Sequence, residues 1–251
     1  MLPLKDRTML GYFRHSAIIS VVLVIALFSC DKNGDDPAGA PSNDTTADDT
    51  LRFRYLALGD SYTIGTALPD SSQAYPIQLV DSLNRDPLLD GTPARIIAFG
   101  GWRTDQLMNG IDTANLSPPY DLVSLLIGVN NQFQNLSEQD YAVEFEVLLN
   151  EALILVGGDT SKVFVLSIPD YGVTPFGGGD PEISMEIDAF NAINANITHS
   201  YGITYFNITE ISRLAENDPT LLAPDNLHPS GQMYTLWVEA IFDEVKAKLD
   251  E

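Results

Sequence analysis

Hydrophobic and polar positions fall into two alternating rhythms over residues 51–251. Five short apolar runs, RFRYLAL (52–58), ARIIAF (94–99), DLVSLLI (121–127), KVFVLSI (162–168) and GITYFN (202–207), are each bounded by Gly, Pro, Asp or Asn and predict β-strands. Longer amphipathic patterns near 73–85, 103–110, 137–156, 181–200 and 230–249 predict helices between and after them. Ser137, followed by Glu138 and Gln139, is placed to cap the third of these helices. Strands that are apolar almost throughout are buried on both faces. Alternation with helices therefore predicts a parallel sheet covered on both sides, a three-layer α/β/α domain without internal repeat.

The pattern ahead of residue 51 is different. Lys5, Arg7 and Arg14 precede a 12-residue apolar run, AIISVVLVIALF (17–28), which is short for a bilayer span of ~20 residues. A basic head and a short apolar stretch predict a secretory leader over residues 1–29, with Met1 and Met9 both open as the start. Cys30 is the only cysteine in the chain, so no intrachain disulfide is available to it. Residues 31–50 hold no large apolar side chain and predict a disordered acidic tether. Its aspartates lack the spacing of a calcium-binding loop.

Composition narrows the function. A hydrophobic content of 45% supports a real core, and a formal net charge of −22 excludes nucleic acid and repels anionic membrane surfaces. Two histidines beyond the leader and no cysteine cluster leave no metal site, and nothing calls for a cofactor.

Ligands of parallel sheets bind beyond the carboxyl ends of the strands. Those positions hold Gly59-Asp60-Ser61, Gly100-Gly101-Trp102-Arg103, Gly128-Val129-Asn130-Asn131, Pro169-Asp170-Tyr171 and, last, Asp225-Asn226-Leu227-His228. A serine hydroxyl becomes a nucleophile only when a base takes its proton. Of three histidines, His15 leaves with the leader and His199 precedes the last strand at the opposite rim. His228 is left as the base. Asp225, three residues earlier, is spaced to orient the imidazole, or to cap the helix that follows. Ser61 can equally cap the helix after the first strand. Its N–H, a glycine N–H from Gly101 or Gly100, and the Asn130 amide are the candidate donors to an oxyanion. Asn130 also suits a left-handed turn. Asp60, Trp102, Arg103 and Asn131 are expected to line the pocket, with core packing an equal reading for Trp102. Gly177–Gly179 read as a plain surface loop more readily than as a flap.

Four blocks, GDS (59–61), GGWRTDQL (100–107), GVNN (128–131) and DNLH (225–228), resemble those of the SGNH, or GDSL-type, hydrolases. The resemblance spans Arg52 to Lys248. It implies a five-stranded flavodoxin-like parallel sheet and a serine esterase. Ser61, Asp225 and His228 would form the triad, and Ser61, Gly101 and Asn130 the oxyanion hole. Asn131 stands where the family usually has Asp, and the G-x-S-x-G elbow of other serine hydrolases is absent around Ser61. LFSC (27–30) likewise resembles a bacterial lipobox, which implies lipidation of Cys30 and attachment to the cell envelope; a simple signal peptide with an incidental cysteine is the alternative. The expected protein is a monomer that meets the membrane through its anchor only. Its expected substrates are short-acyl esters or acylated carbohydrates. The alternatives are a lysophospholipase or thioesterase on longer chains, and a non-catalytic surface binding lipoprotein.

Overall fold

Residues 50–249 are described by a computed structural model. The leader, Cys30 and the tether up to Asp49 lie outside the described residues.

Three of the predicted apolar runs become strands without a single exposed position: β2 (Tyr55–Gly59), β5 (Leu122–Leu126) and β6 (Val163–Leu166), with β1 (Leu51–Phe53), β3 (Leu89–Gly91), β4 (Arg95–Ala98) and β7 (Thr204–Phe206) around them. The main sheet runs β4-β2-β5-β6-β7, every neighbouring pair parallel. Counting only these five strands along the chain, the order is second, first, third, fourth, fifth, the flavodoxin-like arrangement. Its switch point falls between β2 and β5, where ligands of such sheets bind.

Among the described residues eight α-helices connect and cover the sheet: α1 (Ser61–Ile64), α2 (Tyr75–Leu83), α3 (Thr104–Thr113), α4 (Val129–Phe133), α5 (Glu138–Leu155), α6 (Pro181–Ser200), α7 (Thr209–Arg213) and α8 (Gly231–Ala247). Helix α2 packs on α8, while α5 packs on α3 and α6. Ser137 caps α5 as expected, accepting from the N–H groups of Gln139 and Asp140. A polar knot sits in the core. Ser124 on β5 is fully buried and bonds to the hydroxyls of Tyr55 at 2.6 Å and Tyr75 at 3.2 Å, so these hydroxyls are satisfied away from water.

The first predicted strand is broken at Arg54. The Asp121 carboxylate accepts the Arg54 N–H at 2.8 Å, and the Arg54 carbonyl accepts from Asp121 N. The chain shifts sideways there, and β1 pairs with β3 in a separate two-stranded sheet. The Phe53 ring covers Gly91, where a Cβ would collide with it. The one-turn helices α4 and α7 have no counterpart among the predicted helices, and α1 is the helix that Ser61 was placed to cap; four or five residues are too few to show a period.

Candidate active site

The chain leaves β2 through a glycine because nothing larger fits. A Cβ on Gly59 would collide with Thr63 Oγ1 and the Leu126 carbonyl oxygen. Asp60, not Ser61, caps α1: its Oδ1 accepts the Tyr62 N–H at 3.0 Å. Ser61 is thereby the first residue of the helix, only 7% exposed. Among the described residues no backbone acceptor takes its N–H. Asp60 itself is fully buried and its Oδ2 has no hydrogen-bond partner among the described residues. Burial drives its pKa up to about 7, against the pull of the Tyr62 N–H and its own N–H.

The loop after β4 turns at Gly101, whose φ of +83° only glycine adopts readily. A Cβ there would meet nothing within 4 Å, so this backbone faces open space. After β5, Gly128 leads into α4, whose second residue is Asn130. Asn130 is therefore helical, not in a left-handed turn. Its Nδ2 donates to the Trp102 carbonyl at 2.9 Å, which fixes the amide and leaves its second N–H for another acceptor.

Asp225 to His228 form the tip of a tight loop closed by Ala223 N to His228 O at 2.8 Å and Ser230 N to Leu221 O at 2.8 Å. Asp225 caps no helix, since Ser230 caps α8. Asp225 Oδ1 instead accepts from the backbone of Leu227 and His228, and its Oδ2 lies 2.6 Å from His228 Nδ1. Burial would raise the Asp225 pKa. The hydrogen bonds from the His228 ring and from the two backbone N–H groups outweigh it and hold the carboxyl below its ordinary value. With Nδ1–H held by Asp225, Nε2 keeps its lone pair as a proton acceptor. The Tyr62 ring packs against the imidazole at 5.2 Å.

Ser61, Gly100, Gly101, Asn130 and His228 all line one cavity of about 300 Å³. Four segments far apart in sequence thus converge at the switch point. Four other positions do not line it. Asp60 lies beneath Ser61. The Trp102 ring packs flat on α3, over Gly110, and against Phe99 at 5.9 Å. Arg103 turns to Asp105 and to Gln134 Oε1 at 2.9 Å. Asn131 is 1% exposed and ties α4 to α3, accepting the Thr104 N–H at 3.2 Å and donating to Thr104 Oγ1 at 2.6 Å. These residues support the cavity from behind. His199, in the last turn of α6, meets Tyr205 and stays away from the cavity.

The rest of the lining is Val129, Tyr171 and Leu227, which follow the strand ends but had no role assigned, and Tyr62, Thr66, Phe133 and Phe176, which spacing did not reveal. Tyr171 and Phe176 belong to residues 167–176, SIPDYGVTPF, at and after the end of β6, and that position beyond a strand end is the available signal. Gly177 is locked in place, since a Cβ would collide with the Tyr171 carbonyl oxygen. Among the described residues no His, Cys, Asp and Glu cluster is disposed to hold a metal, and no helix is long and apolar enough to cross a membrane.

The GDSL-like lipase/acylhydrolase family model matches residues 57–236, which include all four blocks. No curated protein matches the sequence significantly. The fold is shared with an acetylxylan esterase from Geobacillus stearothermophilus (18% identity over 77% of this chain and 94% of that one, TM-score 0.59). It is shared as well with a psychrotrophic esterase from Pseudoalteromonas sp. (15%, 80% and 100%, 0.60) and a phospholipase A1 from Streptomyces albidoflavus NA297 (18%, 78% and 99%, 0.57).

Proposed function

The chain belongs to the GDSL-like lipase/acylhydrolase family and is a serine ester hydrolase, and from that premise we propose that Ser61, His228 and Asp225 are its catalytic triad. The Ser61 hydroxyl attacks an ester carbonyl as His228 Nε2 takes its proton. The oxyanion is met by the N–H groups of Ser61 and Gly101 and by the free N–H of the Asn130 amide. Collapse expels the alcohol, which takes the proton from His228, and leaves the acyl group on Ser61. Water, deprotonated by His228, then releases the acid. Asp225 holds the ring in the required tautomer and stabilises the imidazolium. The carrying observation is the 2.6 Å Asp225–His228 bond on a cavity that Ser61 also lines. In Ser61→Ala, hydrolysis of p-nitrophenyl acetate is expected to fall by at least about 10³-fold with the thermal midpoint preserved. Retained activity would contradict the assignment.

We further propose that the natural esters carry short acyl groups or acylated carbohydrates. A cavity of about 300 Å³ sits at the small end of ligand pockets, ~300–1,000 Å³, and the acetylxylan esterase shares the fold. The phospholipase neighbour keeps longer acyl chains as the second reading. An acetyl-to-palmitoyl ester series separates the two. The basic head, the apolar run and LFSC (27–30) support a protein held at the cell envelope by a lipid on Cys30, with no other membrane contact. In the natural host, Cys30→Ala is expected to move the protein out of the membrane fraction; an unchanged distribution would refute the anchor.

A further inference from the structure

Three aromatic rings stand together on the cavity wall. Phe133, from α4, and Tyr171 and Phe176, from the loop after β6, form a near-equilateral triangle with centroid separations of 6.0, 6.2 and 6.2 Å. Tyr171 is buried at its base, whereas Phe133 and Phe176 remain 53% and 54% exposed although each has an apolar ring to hide. All three line the cavity that holds Ser61 and His228.

The triangle is held rigidly. Asp170, immediately before Tyr171, is buried and paired with Arg213 at 2.9 Å. Thr174 Oγ1 donates to the Tyr171 carbonyl at 2.7 Å and accepts from Gly177 N at 3.2 Å. Phe176 N donates to the Asn226 carbonyl at 3.3 Å, fastening this wall to the loop that carries Asp225 and His228. Such a surface is formed before a ligand arrives, which lowers the ordering cost of binding. No Asp, Glu, Lys or Arg lines the cavity, and beyond the reacting groups its hydroxyls are those of Thr66, Tyr62 and Tyr171. That inventory offers little to a charged group. It suits a flat apolar group able to present faces and edges to rings tilted at 39° to 69°.

We propose that the Phe133–Tyr171–Phe176 triangle is a specificity site for the aromatic ring of an uncharged ester. This rests on the reading of Ser61 as nucleophile and deepens it by naming a substrate class. The full chain is assayed with two matched pairs that differ only in aromaticity. Vinyl phenylacetate against vinyl cyclohexylacetate puts the ring on the acyl side, and benzyl acetate against cyclohexylmethyl acetate puts it on the alcohol side. In at least one pair the aromatic ester is expected to have the higher kcat/KM, by about threefold to tenfold. Phe133→Ala and Phe176→Ala are expected to bring that ratio close to one. Both side chains are half exposed, and a ratio of two substrates on one preparation is independent of how much protein is folded. No preference in either pair, or a preference that survives both variants, would overturn the proposal. Failure of the catalytic reading looks different: turnover of these esters that persists in Ser61→Ala, or no turnover of vinyl acetate at all.

Discussion

Two carboxylates are buried at the same rim of the sheet, Asp60 after β2 and Asp170 after β6, and the protein treats them in opposite ways. Asp170 is fully enclosed in partners. Arg213 Nε reaches its Oδ2 at 2.9 Å, Gly172 N reaches its Oδ1 at 2.8 Å, and its own N–H goes to Ser212 Oγ at 2.9 Å. Arg213 is itself held by Asp188 and Glu210. Asp60 has the Tyr62 N–H on one oxygen and no side-chain partner on the other. Each residue supports its neighbour in the cavity, Tyr171 in one case and Ser61 in the other. Where the loop only shapes a wall, the charge is neutralised. Beside the proposed nucleophile, no cation among the described residues is paired with the carboxyl. Burying a charge without a partner is expensive, and the carboxyl answers by holding its proton up to about pH 7. Below that pH the acid behind Ser61 is neutral and adds no negative charge beneath the proposed nucleophile.

The contrast can be broken most severely at Arg213. Arg213→Ala strands Asp170 as an unpaired buried charge and is expected to cost about 3–5 kcal/mol in urea unfolding at pH 7. Adding Asp170→Asn should restore part of the loss, and a double variant no better than the single one would deny that the pairing matters. A smaller effect, with a pH signature, belongs to Asp60. Its native pKa of about 7 lies above the ordinary 3.8, so the folded protein keeps a proton that the unfolded chain sheds. The stability due to this proton is fully present below pH 3.8, declines through the interval to pH 7, and is gone above it. Asp60→Asn, which cannot ionise, should therefore gain roughly 2–4 kcal/mol of stability relative to wild type from pH 4 to pH 8. A difference independent of pH would remove the contrast. The smallest effect concerns the neutral partner of the Asp170 loop. Ser212→Ala takes away the acceptor of the Asp170 N–H and should lower stability by about 1–2 kcal/mol without altering its pH dependence. A loss as large as that of Arg213→Ala would place the weight on the hydrogen bond and not on charge.

Neither carboxylate's surroundings were legible in the sequence. The positions after the strands were, because apolar runs mark where a strand ends and parallel topology gathers those ends at one rim. Ser61, Gly101, Asn130 and His228 meet there for that reason, and Asp225 follows from its three-residue spacing. Direction across a turn is not carried by spacing. Trp102, Arg103 and Asn131 follow the same strand ends, yet the first two turn onto α3, which starts at Thr104, and Asn131, on α4, bonds to Thr104, so none of the three lines the cavity. The aromatic wall needed two segments, α4 and the loop after β6, to be brought together, and no local pattern announces that encounter. The break at Arg54 escaped for a similar reason. Its cause is the Asp121 carboxylate, 67 residues away.

The central claim is that the hydroxyl on the β2 turn is the atom that forms the covalent bond with substrate. Incubating the full chain with a fluorophosphonate and mapping the adduct by peptide mass spectrometry tests it directly. The account predicts one phosphonyl group per chain, carried by Ser61, with loss of esterase activity in proportion to labelling. An adduct on another residue that tracks the loss of activity, or full activity after Ser61 is labelled, would contradict it.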